Sequence, residues 1–295
     1  MNPQAKRFFY RTLEPVHVGA GGYRLGRVDK TICRELGTNL PKIPGTSISG
    51  AVKYYPALAA EKPKAAGVAK YDPEKDKDCP IFYTFGHASA EGGGNAGTIG
   101  VGDAYILFFP VFSTAGPVWV TCKRILVQAG ATGIVAPANN RIKISQALVS
   151  AEAKGLSLGW LWFSRAANEL EEDLSIQADL QKYCPGPIVL VPDDLIAPIV
   201  NSNLEVRTSV AINPLSGTSE EKKLFSYEAI PRDTVLFQEV VEDNYRGAMP
   251  SNKNGWNHPM EVYREGAKMM GTLGVGGMGT RGFGRMGYCG DEDVK

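Results

Sequence analysis

Charge of one sign, histidine and closely spaced cysteine are all scarce in this sequence. Its 32 Lys and Arg residues nearly balance 31 Asp and Glu residues, which leaves a formal net charge of +1. No global field therefore attracts a polyanion, and any contact with nucleic acid must come from a local patch. The five cysteines are widely scattered, and only three histidines are present. These counts argue against a zinc site and a disulfide framework, and they fit a reducing cytoplasm.

Long hydrophobic runs are also missing. No uninterrupted apolar stretch reaches about 18 residues, so we expect no transmembrane helix and no membrane partner. The first residues, MNPQAKRFFYRTLEP, lack the apolar run of a signal peptide. The chain has 295 residues, 43% of them hydrophobic, which is enough for a large core in one elaborated domain or two. Its 34 glycines and 19 prolines indicate many turns rather than a helix bundle.

Runs of aromatic and β-branched residues predict several strands. A first strand is expected at 6–18, and the strongly apolar run at 98–112 predicts a buried strand. The alternating segment 204–212 and the returning segment 224–229 predict a long β-hairpin, and a further strand is expected at 234–241.

Helical spacing and capping residues predict helices between these strands. The first is expected at 48–60, where Thr46 or Ser47 would cap the first turn. Two more are expected at 166–183 and 259–270. This order of elements accommodates a β-α-β-β-α-β core with large insertions.

The stretch 271–290, GTLGVGGMGTRGFGRMGYCG, combines glycine with hydrogen-bond donors. Exposed amides and guanidinium groups suit a phosphate-rich ligand. The alternative is a flexible linker, which is the usual role of a glycine-rich segment. The spaced Arg281 and Arg285, the apolar Phe283 and Met286 and the absence of serine favour a loop that faces nucleic acid.

Four stretches carry a resemblance to a known family. They are HVGAGGYRLGRVDKTICRELGTNLPKIPGTSISGAVK at 17–53, IGVGDA at 99–104 followed by LFFPVFS, VRTSVAINPLSGTSEEKKLFSYEAIP at 206–231 and GTLGVGGMGTRGFGRM at 271–286. In this order they resemble the RAMP proteins of CRISPR systems, and most of all the backbone subunit of the type III-B (Cmr) effector complex, which cuts target RNA. The matches are spread over nearly the whole chain. Ser49 and Lys53 depart from the family, which often has lysine and arginine there.

The resemblance implies an α+β fold, with a ferredoxin-like, RRM-related palm, a β-hairpin thumb and inserted finger regions. Residues 1–295 would form a single RAMP domain with an exposed insertion at about 61–97, the thumb at about 204–230 and the glycine-rich loop at 271–290. Copies would stack head to tail into a filament along the guide RNA (crRNA), and the thumb would intercalate into the guide–target duplex. The implied partners are crRNA, single-stranded target RNA, other copies of the chain and other Cmr subunits.

Asp29 matches the family's catalytic aspartate, in the loop Gly26-Arg27-Val28-Asp29. A lone carboxylate cannot build a two-metal site, and RNA carries its own nucleophile in the 2′-hydroxyl. We therefore hypothesise attack by that hydroxyl, with Asp29 holding a divalent metal (Mg²⁺ or Mn²⁺) or helping to deprotonate the hydroxyl. Arg27 or Lys30 could offset phosphoryl charge. The alternative for Asp29 is a turn-capping role.

His17 and Glu228 are weaker catalytic candidates. His17, at the end of the first predicted strand, could act as acid or base near neutral pH, or could be a hydrogen-bonded strand-end residue. Glu228 could act as acid or base, although a structural role is expected.

The family's guide contacts carry over to helix-start, thumb and loop positions. Helix N-termini and glycine-rich amides bind phosphates without regard to sequence, which suits a protein that must accept any guide. The candidate RNA-binding residues are Arg27, Ser47, Ser49, Lys53, Arg207, Gly276, Gly277, Thr280 and Arg281.

Two other functions remain open. The first is a non-catalytic crRNA-binding scaffold, similar to the type III-A backbone subunit, with cutting by a partner. The second is the binding of a small nucleotide, which the absence of a G-x-x-x-x-G-K-[ST] motif weakens. Phe82, Tyr83 and Phe85 are either base-stacking platforms or core residues. Asp103 is expected to fix a turn next to Gly102.

Overall fold

The computed structural model describes residues 3–21, 28–67, 72, 76–88, 94–137, 141–145, 148, 155–164, 170–171, 176, 178–219, 224–243 and 245–294. The strands are β1 Gln4–Thr12, β2 Lys42–Ile43, β3 Gly86–Ala88, β4 Gly94–Ala96, β5 Ile99–Ser113, β6 Gly116–Cys122, β7 Ile142–Ile144, β8 Gly155–Leu158, β9 Leu161–Ser164, β10 Leu170–Glu171, β11 Ile188–Val191, β12 Glu205–Ser209, β13 Phe225–Ala229, β14 Val235–Glu242 and β15 Met286–Asp293. The helices are α1 Gly45–Ala59, α2 Pro80–Phe85, α3 Lys123–Gln128, α4 Ala178–Gln181, α5 Ile196–Ser202 and α6 Pro259–Leu273. Short 3₁₀ turns lie at Pro63–Ala66 and Gly279–Arg281.

The chain folds as two compact units. Unit 1 comprises Met1–Leu13, Ile43–Ala104 and Phe237–Lys295, and unit 2 comprises Glu14–Lys42 and Tyr105–Leu236. Both units combine strands with helices, and the strand pairs are both parallel and antiparallel. The predicted α+β class is therefore confirmed at this level.

The sheet of unit 1 has the strand order β5–β14–β1–β15. Strands β1 and β15 are antiparallel, from Lys6 opposite Asp293 to Thr12 opposite Met286. Along the chain, α1 lies between β1 and β5, and α6 lies between β14 and β15. Two helices packed with four strands in this order account for the aromatic core of the unit, in which Phe8 and Phe9 are fully buried.

Helices α1 and α6 approach each other at a glycine. A Cβ atom on Gly266 of α6 would lie only 2.3 Å from the carbonyl oxygen of Val52 in α1. Helix α6 begins with Pro259 at its first position and a capping box between His258 and Glu261. The glycine therefore allows a close backbone contact that any side chain would block.

A buried polar cluster connects α6 to the sheet of unit 1. The hydroxyl of Tyr263 donates to Oε1 of Gln238 at 2.6 Å, and the hydroxyl of Tyr10 donates to the same atom at 3.2 Å. Nε2 of Gln238 in turn donates to the carbonyl oxygen of Gly102 at 2.6 Å. Burial raises the pKa of the hydroxyls of both Tyr10 and Tyr263 above the usual value. The cluster is neutral and satisfied, which is what burial requires of polar groups.

Unit 2 is built around the continuation of β5. Strand β6 pairs antiparallel with β5, and β11 pairs parallel with β6, from Ile188 opposite Trp119 to Val191 opposite Cys122. Strand β7 pairs antiparallel with β11. Strands β12 and β13 form the predicted hairpin, with Arg207 opposite Tyr227.

Several local predictions are corrected by the structure. The first strand ends at Thr12, and Val16 makes only an isolated bridge. The helix predicted at 166–183 is confirmed only in part: Ala178–Gln181 is helical, whereas Leu170–Glu171 pairs as a strand with β7. Phe82 and Tyr83 are buried at 3% and 5% exposure, which favours the core interpretation over base stacking.

The insertion predicted as exposed contributes buried residues to a small apolar cluster. Ala65, Cys79 and Ile81 pack with Ala57 of α1 and Val262 of α6. In the described residues, no helix combines the length and the apolar character needed to cross a membrane.

Candidate functional site

The carboxylate of Asp29 is exposed, and Ser226 of β13 holds it through hydrogen bonds. The amide of Ser226 donates to Oδ2 of Asp29 at 2.7 Å, and the Ser226 hydroxyl donates to the same oxygen at 2.9 Å. The amide of Asp29 donates back to the Ser226 hydroxyl at 3.2 Å. These hydrogen bonds, first from the Ser226 amide and then from its hydroxyl, lower the pKa of Asp29. The group is therefore ionised at neutral pH.

The segment that follows Asp29 pairs with β13. The amide of Lys30 donates to the carbonyl oxygen of Ser226 at 3.1 Å, and the amide of Glu228 donates to the carbonyl oxygen of Lys30 at 3.0 Å. These bonds form a parallel bridge between Lys30 and Tyr227. Asp29 thus lies at the edge of the hairpin β12–β13, on backbone that is bonded to it.

Glu228 is tied to the same segment through its side chain. Its Oε2 accepts a hydrogen bond from Nη2 of Arg34 at 2.8 Å and from the amide of Ile32 at 3.3 Å. The two side chains of this ion pair are only 14% and 13% exposed, for Arg34 and Glu228 respectively. Arg34 is held further by Asn201, whose Oδ1 accepts from Nε at 2.9 Å. This arrangement supports a structural role for Glu228.

His17 is buried next to β13. Its Nδ1 lies 2.6 Å from the carbonyl oxygen of Glu228, so Nδ1 carries the proton and donates. The ring meets Tyr227 edge-on at 6.0 Å, and the residue is 6% exposed. An enclosed imidazole bonded to backbone fits the strand-end interpretation, and a role in acid–base chemistry stays a prediction.

Two of the expected cations are Lys30, which follows Asp29 in the chain, and Arg207, which lies on the hairpin. Lys30 is exposed, and its Nζ sits 4.6 Å above the centre of the Phe225 ring. Nε of Arg207, on β12, donates to Glu205 at 2.6 Å. Arg27, the other cation expected here, lies outside the described residues.

Asp29 is the residue expected to hold the metal. Among the described residues, no group of three or more His, Cys, Asp or Glu side chains is arranged to hold a metal ion. Both hydrogen bonds from Ser226 reach Oδ2 of Asp29. Ser226 therefore does not contact the other carboxylate oxygen of this exposed residue. Mg²⁺ commonly binds proteins through one or two carboxylates, with waters and substrate phosphates as its other ligands. An ionised aspartate with one oxygen outside the Ser226 bonds fits this pattern.

Unit 1 contains a second candidate site, a groove of about 380 Å³ between α1 and the glycine-rich stretch. Ser47, Gly50 and Tyr54 line it from one face of α1, and Gly276 and Gly279 line it from the loop. Tyr54 is 46% exposed and supplies an aromatic wall. Ser49 and Lys53 are spaced four residues apart on the neighbouring flank of the helix and are not part of this lining.

The glycine-rich stretch begins in α6 and ends in β15, and the part between Leu273 and Met286 is a folded loop rather than a linker. Its base is closed by a bond from the amide of Val275 to the carbonyl oxygen of Gly284 at 2.9 Å, and the hydroxyl of Tyr55 donates to the carbonyl oxygen of Gly274. The side chain of Phe283 is buried. The tip is exposed and carries the predicted contacts Gly276, Gly277, Thr280 and Arg281.

The start of α1 is not capped as the sequence predicts. Neither Thr46 nor Ser47 is the N-cap residue, which is Pro44, and no side chain of the cap residue bonds the helix. Instead, Oδ1 of Asp103 accepts from the amide of Gly45 at 2.7 Å. Asp103 lies within β5 and not in a turn, so its structural role differs from the expected one. The amide of Ser47 donates to the carbonyl oxygen of Pro44, so this amide is already engaged within the helix start. At this end of α1, the groove therefore offers side-chain hydroxyls to a phosphate.

The family model described as RAMPs, the RAMP superfamily, matches residues 9–287. The chain belongs to the RAMP superfamily. It is also 30% identical over 255 residues to the CRISPR system Cmr endoribonuclease Cmr4 of Pyrococcus furiosus, a match that covers 78% of this chain and 79% of the relative. This identity and coverage place the RAMP protein in the same family as Cmr4.

Two solved structures share the fold of this RAMP protein. One is a type III-B Cmr-beta complex bound to cognate target RNA, with a TM-score of 0.64, 16% identity and coverage of 96% of both chains. The other is oligomeric Cmr4 from Pyrococcus furiosus, with a TM-score of 0.60, 22% identity and coverage of 99% of both chains. At these identities the likeness shows the α+β fold.

Sequence reasoning missed three residues of these sites in the RAMP protein. Ser226 and Arg34 hold the catalytic candidates through contacts that no local pattern announces, since their partners lie 197 and 194 residues away. Tyr54 could have been found, because it continues the helical spacing of Ser47 and Gly50 along one face of α1.

Proposed function

We propose that this RAMP protein is the backbone subunit of a type III-B CRISPR (Cmr) effector complex, which binds crRNA and cleaves complementary target RNA at regular intervals. The 30% identity to a Cmr endoribonuclease over most of the chain supports this function. The observation that carries the cleavage step is the exposed, ionised carboxylate of Asp29, fixed by Ser226 at the edge of the hairpin β12–β13.

In the cleavage step, the 2′-oxygen of the target RNA attacks the adjacent phosphorus and loses its proton to solvent water. The bond from phosphorus to the 5′-oxygen breaks, and that oxygen takes a proton from solvent water as it leaves, so the products end in a cyclic phosphate and a 5′-hydroxyl. Because its lowered pKa makes Asp29 a weak proton acceptor, the carboxylate is better suited to electrostatic and metal-holding work than to taking the proton itself. Lys30, exposed beside it, can offset phosphoryl charge.

Asp29 would hold the divalent metal, Mg²⁺ or Mn²⁺. When bound, such an ion supplies Lewis-acid stabilisation of charge on the phosphoryl oxygens. The protein's part is to keep the carboxylate ionised and oriented, which the bonds from Ser226 support.

The groove of unit 1 is the proposed site for the crRNA backbone. An exposed arginine, exposed glycine amides and side-chain hydroxyls suit phosphates of any sequence. The strand order β5–β14–β1–β15, with α1 and α6 as connections, supports a ferredoxin-like, RRM-related palm in this unit. Base pairing with the guide would then supply target specificity.

Assembly is proposed to be head to tail, with other copies of the chain and with other Cmr subunits. The structural likeness to oligomeric Cmr4 supports self-association, and a head-to-tail contact leaves open ends that other subunits can cap. The hairpin β12–β13 is the proposed thumb. Val206, Val210 and Leu224 on the hairpin are exposed apolar side chains that could enter a guide–target duplex.

The experiment compares the Asp29→Ala and Asp29→Asn variants with wild type in the assembled, crRNA-loaded complex. We expect both variants to bind target RNA normally and to lose cutting. Asp243→Asn, which changes another exposed aspartate, is the matched control and should cut normally. Full cutting by Asp29→Ala would support the alternative, a non-catalytic crRNA-binding scaffold.

A second substrate tests the nucleophile. Replacing the ribose at the scissile position by deoxyribose removes the attacking hydroxyl. Cutting should stop at that position and continue at the others, and persistent cutting there would refute the mechanism.

A further inference from the structure

Ser226 and Asp29 form a closed ring of hydrogen bonds. The Ser226 hydroxyl donates to Oδ2 of Asp29 at 2.9 Å and accepts from the Asp29 amide at 3.2 Å. The Ser226 amide donates to the same carboxylate oxygen at 2.7 Å. One residue therefore contacts both the backbone and the carboxylate of Asp29. An exposed aspartate side chain without such bonds would turn freely about its side-chain torsions.

We propose that Ser226 is the positioning residue for cleavage: its hydroxyl and amide fix the orientation in which the Asp29 carboxylate meets the RNA backbone. Effective catalysis by a single carboxylate requires this, because small errors in the placement of a reacting group are costly in rate. The inference rests on the proposed function and adds a residue to its site.

The support beneath Ser226 is rigid without its side chain. Its carbonyl oxygen accepts from the Lys30 amide at 3.1 Å, and the neighbouring Glu228 amide donates to the Lys30 carbonyl at 3.0 Å. On its other side, β13 pairs with β12, where Thr208 stands opposite Ser226. Removing the hydroxyl should therefore leave the carboxylate held only by the bond from the Ser226 amide, while the loop and the hairpin keep their backbone bonds.

The same strand links the carboxylate to the proposed thumb. Because Asp29 is bonded to β13, any shift of the hairpin on binding RNA would carry the carboxylate with it.

The test uses Ser226→Ala and Ser226→Thr in the assembled, crRNA-loaded complex. The single-turnover cutting rate and the affinity for target RNA are measured separately. Loss of one hydrogen bond to a charged group should slow cutting by Ser226→Ala about tenfold. The affinity for target RNA should not change. Ser226→Thr keeps the hydroxyl and the amide, so it should cut at close to the wild-type rate.

The matched control is Ser157→Ala. Ser157 is also a strand serine of unit 2, and its hydroxyl accepts a backbone amide, that of Thr114, at 3.0 Å. Its loss should leave cutting unchanged. If Ser226→Ala cuts as fast as wild type, or is slow only because it binds target less tightly, the positioning role is refuted.

Asp29→Ala distinguishes a failure of the positioning role of Ser226 from a failure of the proposed function. If Asp29→Ala abolishes cutting and Ser226→Ala does not slow it, the inference fails and the proposed function stands. If Asp29→Ala still cuts, the proposed function fails and takes the positioning role with it.

Discussion

Replacing Gly266 with alanine should destabilise the protein, although alanine is the better helix former. Gly266 lies inside α6, where glycine is about 1 kcal/mol less favourable than alanine. A Cβ atom at this position would lie 2.3 Å from the carbonyl oxygen and 2.7 Å from the Cα of Val52. These are backbone atoms of α1, so no side-chain rotation can relieve the contact.

The balance of the two effects sets the expected magnitude. Non-bonded heavy atoms prefer a separation of about 3.5 Å, so the helices would have to move apart by about 1 Å. Overpacking of this kind typically costs about 1–3 kcal/mol. We take the upper end, because Val52 and Met270 are fully buried and the two helices share this core. After the helix-propensity gain is subtracted, the net loss is about 2 kcal/mol.

Gly271→Ala is the matched control, in the same helix. There the added Cβ would lie 3.7 Å from the nearest atom, the carbonyl oxygen of Met286, which is an ordinary contact. Thermal unfolding of the isolated chain, followed by circular dichroism, should show the midpoint of Gly266→Ala lowered by roughly 4 °C. The midpoint of Gly271→Ala should be unchanged or slightly raised. If both variants unfold at or above the wild-type midpoint, the close approach of α1 and α6 is not as described.

Three further results are expected. Arg281→Ala should weaken crRNA binding and reduce the slope of log affinity against log salt concentration by about 1. The control Arg232→Ala, at another exposed arginine, should change neither. An unchanged slope for Arg281→Ala would argue against the groove as the crRNA site. Asp103→Ala removes the side chain that caps α1 and should lower the free energy of unfolding by about 1 kcal/mol in denaturant titrations. Burial works to raise the pKa of Asp291, but the bonds from Arg264 outweigh it and lower that pKa. Since the folded pKa is below the unfolded one, this stabilisation is present above about pH 4 and lost as the pH falls through the folded pKa. The difference in unfolding free energy between wild type and Asp291→Asn should therefore shrink in acid.

Local patterns predicted the elements whose periodicity is strong. The helix at α6 follows from Pro259 at its first position and from apolar residues at helical spacing, such as Val262, Tyr263 and Met270. The hairpin β12–β13 follows from alternation in both strands. In both cases the packing of the element agrees with its own sequence, so no outside contact overrides it.

The errors occur where a distant partner decides the structure. Leu170 has helical spacing with its neighbours, yet it pairs with Ile142 in a parallel ladder. Asp103 has the local surroundings of a turn residue, yet it extends β5 and caps a helix that begins 58 residues earlier. Pairings of this kind depend on tertiary contacts, which intrinsic propensity does not contain.

Glu228 shows how such contacts separate a supporting residue from a catalytic one. Its amide holds Lys30, its carbonyl oxygen accepts from His17, and its carboxylate binds Arg34 and the amide of Ile32. A residue whose backbone and side chain are all engaged in holding the segment that follows Asp29 has little freedom to meet a substrate. Asp29 differs in the feature that counts for chemistry: it is exposed and ionised, and the bonds from Ser226 reach one of its two carboxylate oxygens. In the proposed mechanism the two carboxylates therefore divide the work: Glu228 supports the segment, and Asp29 would meet the RNA.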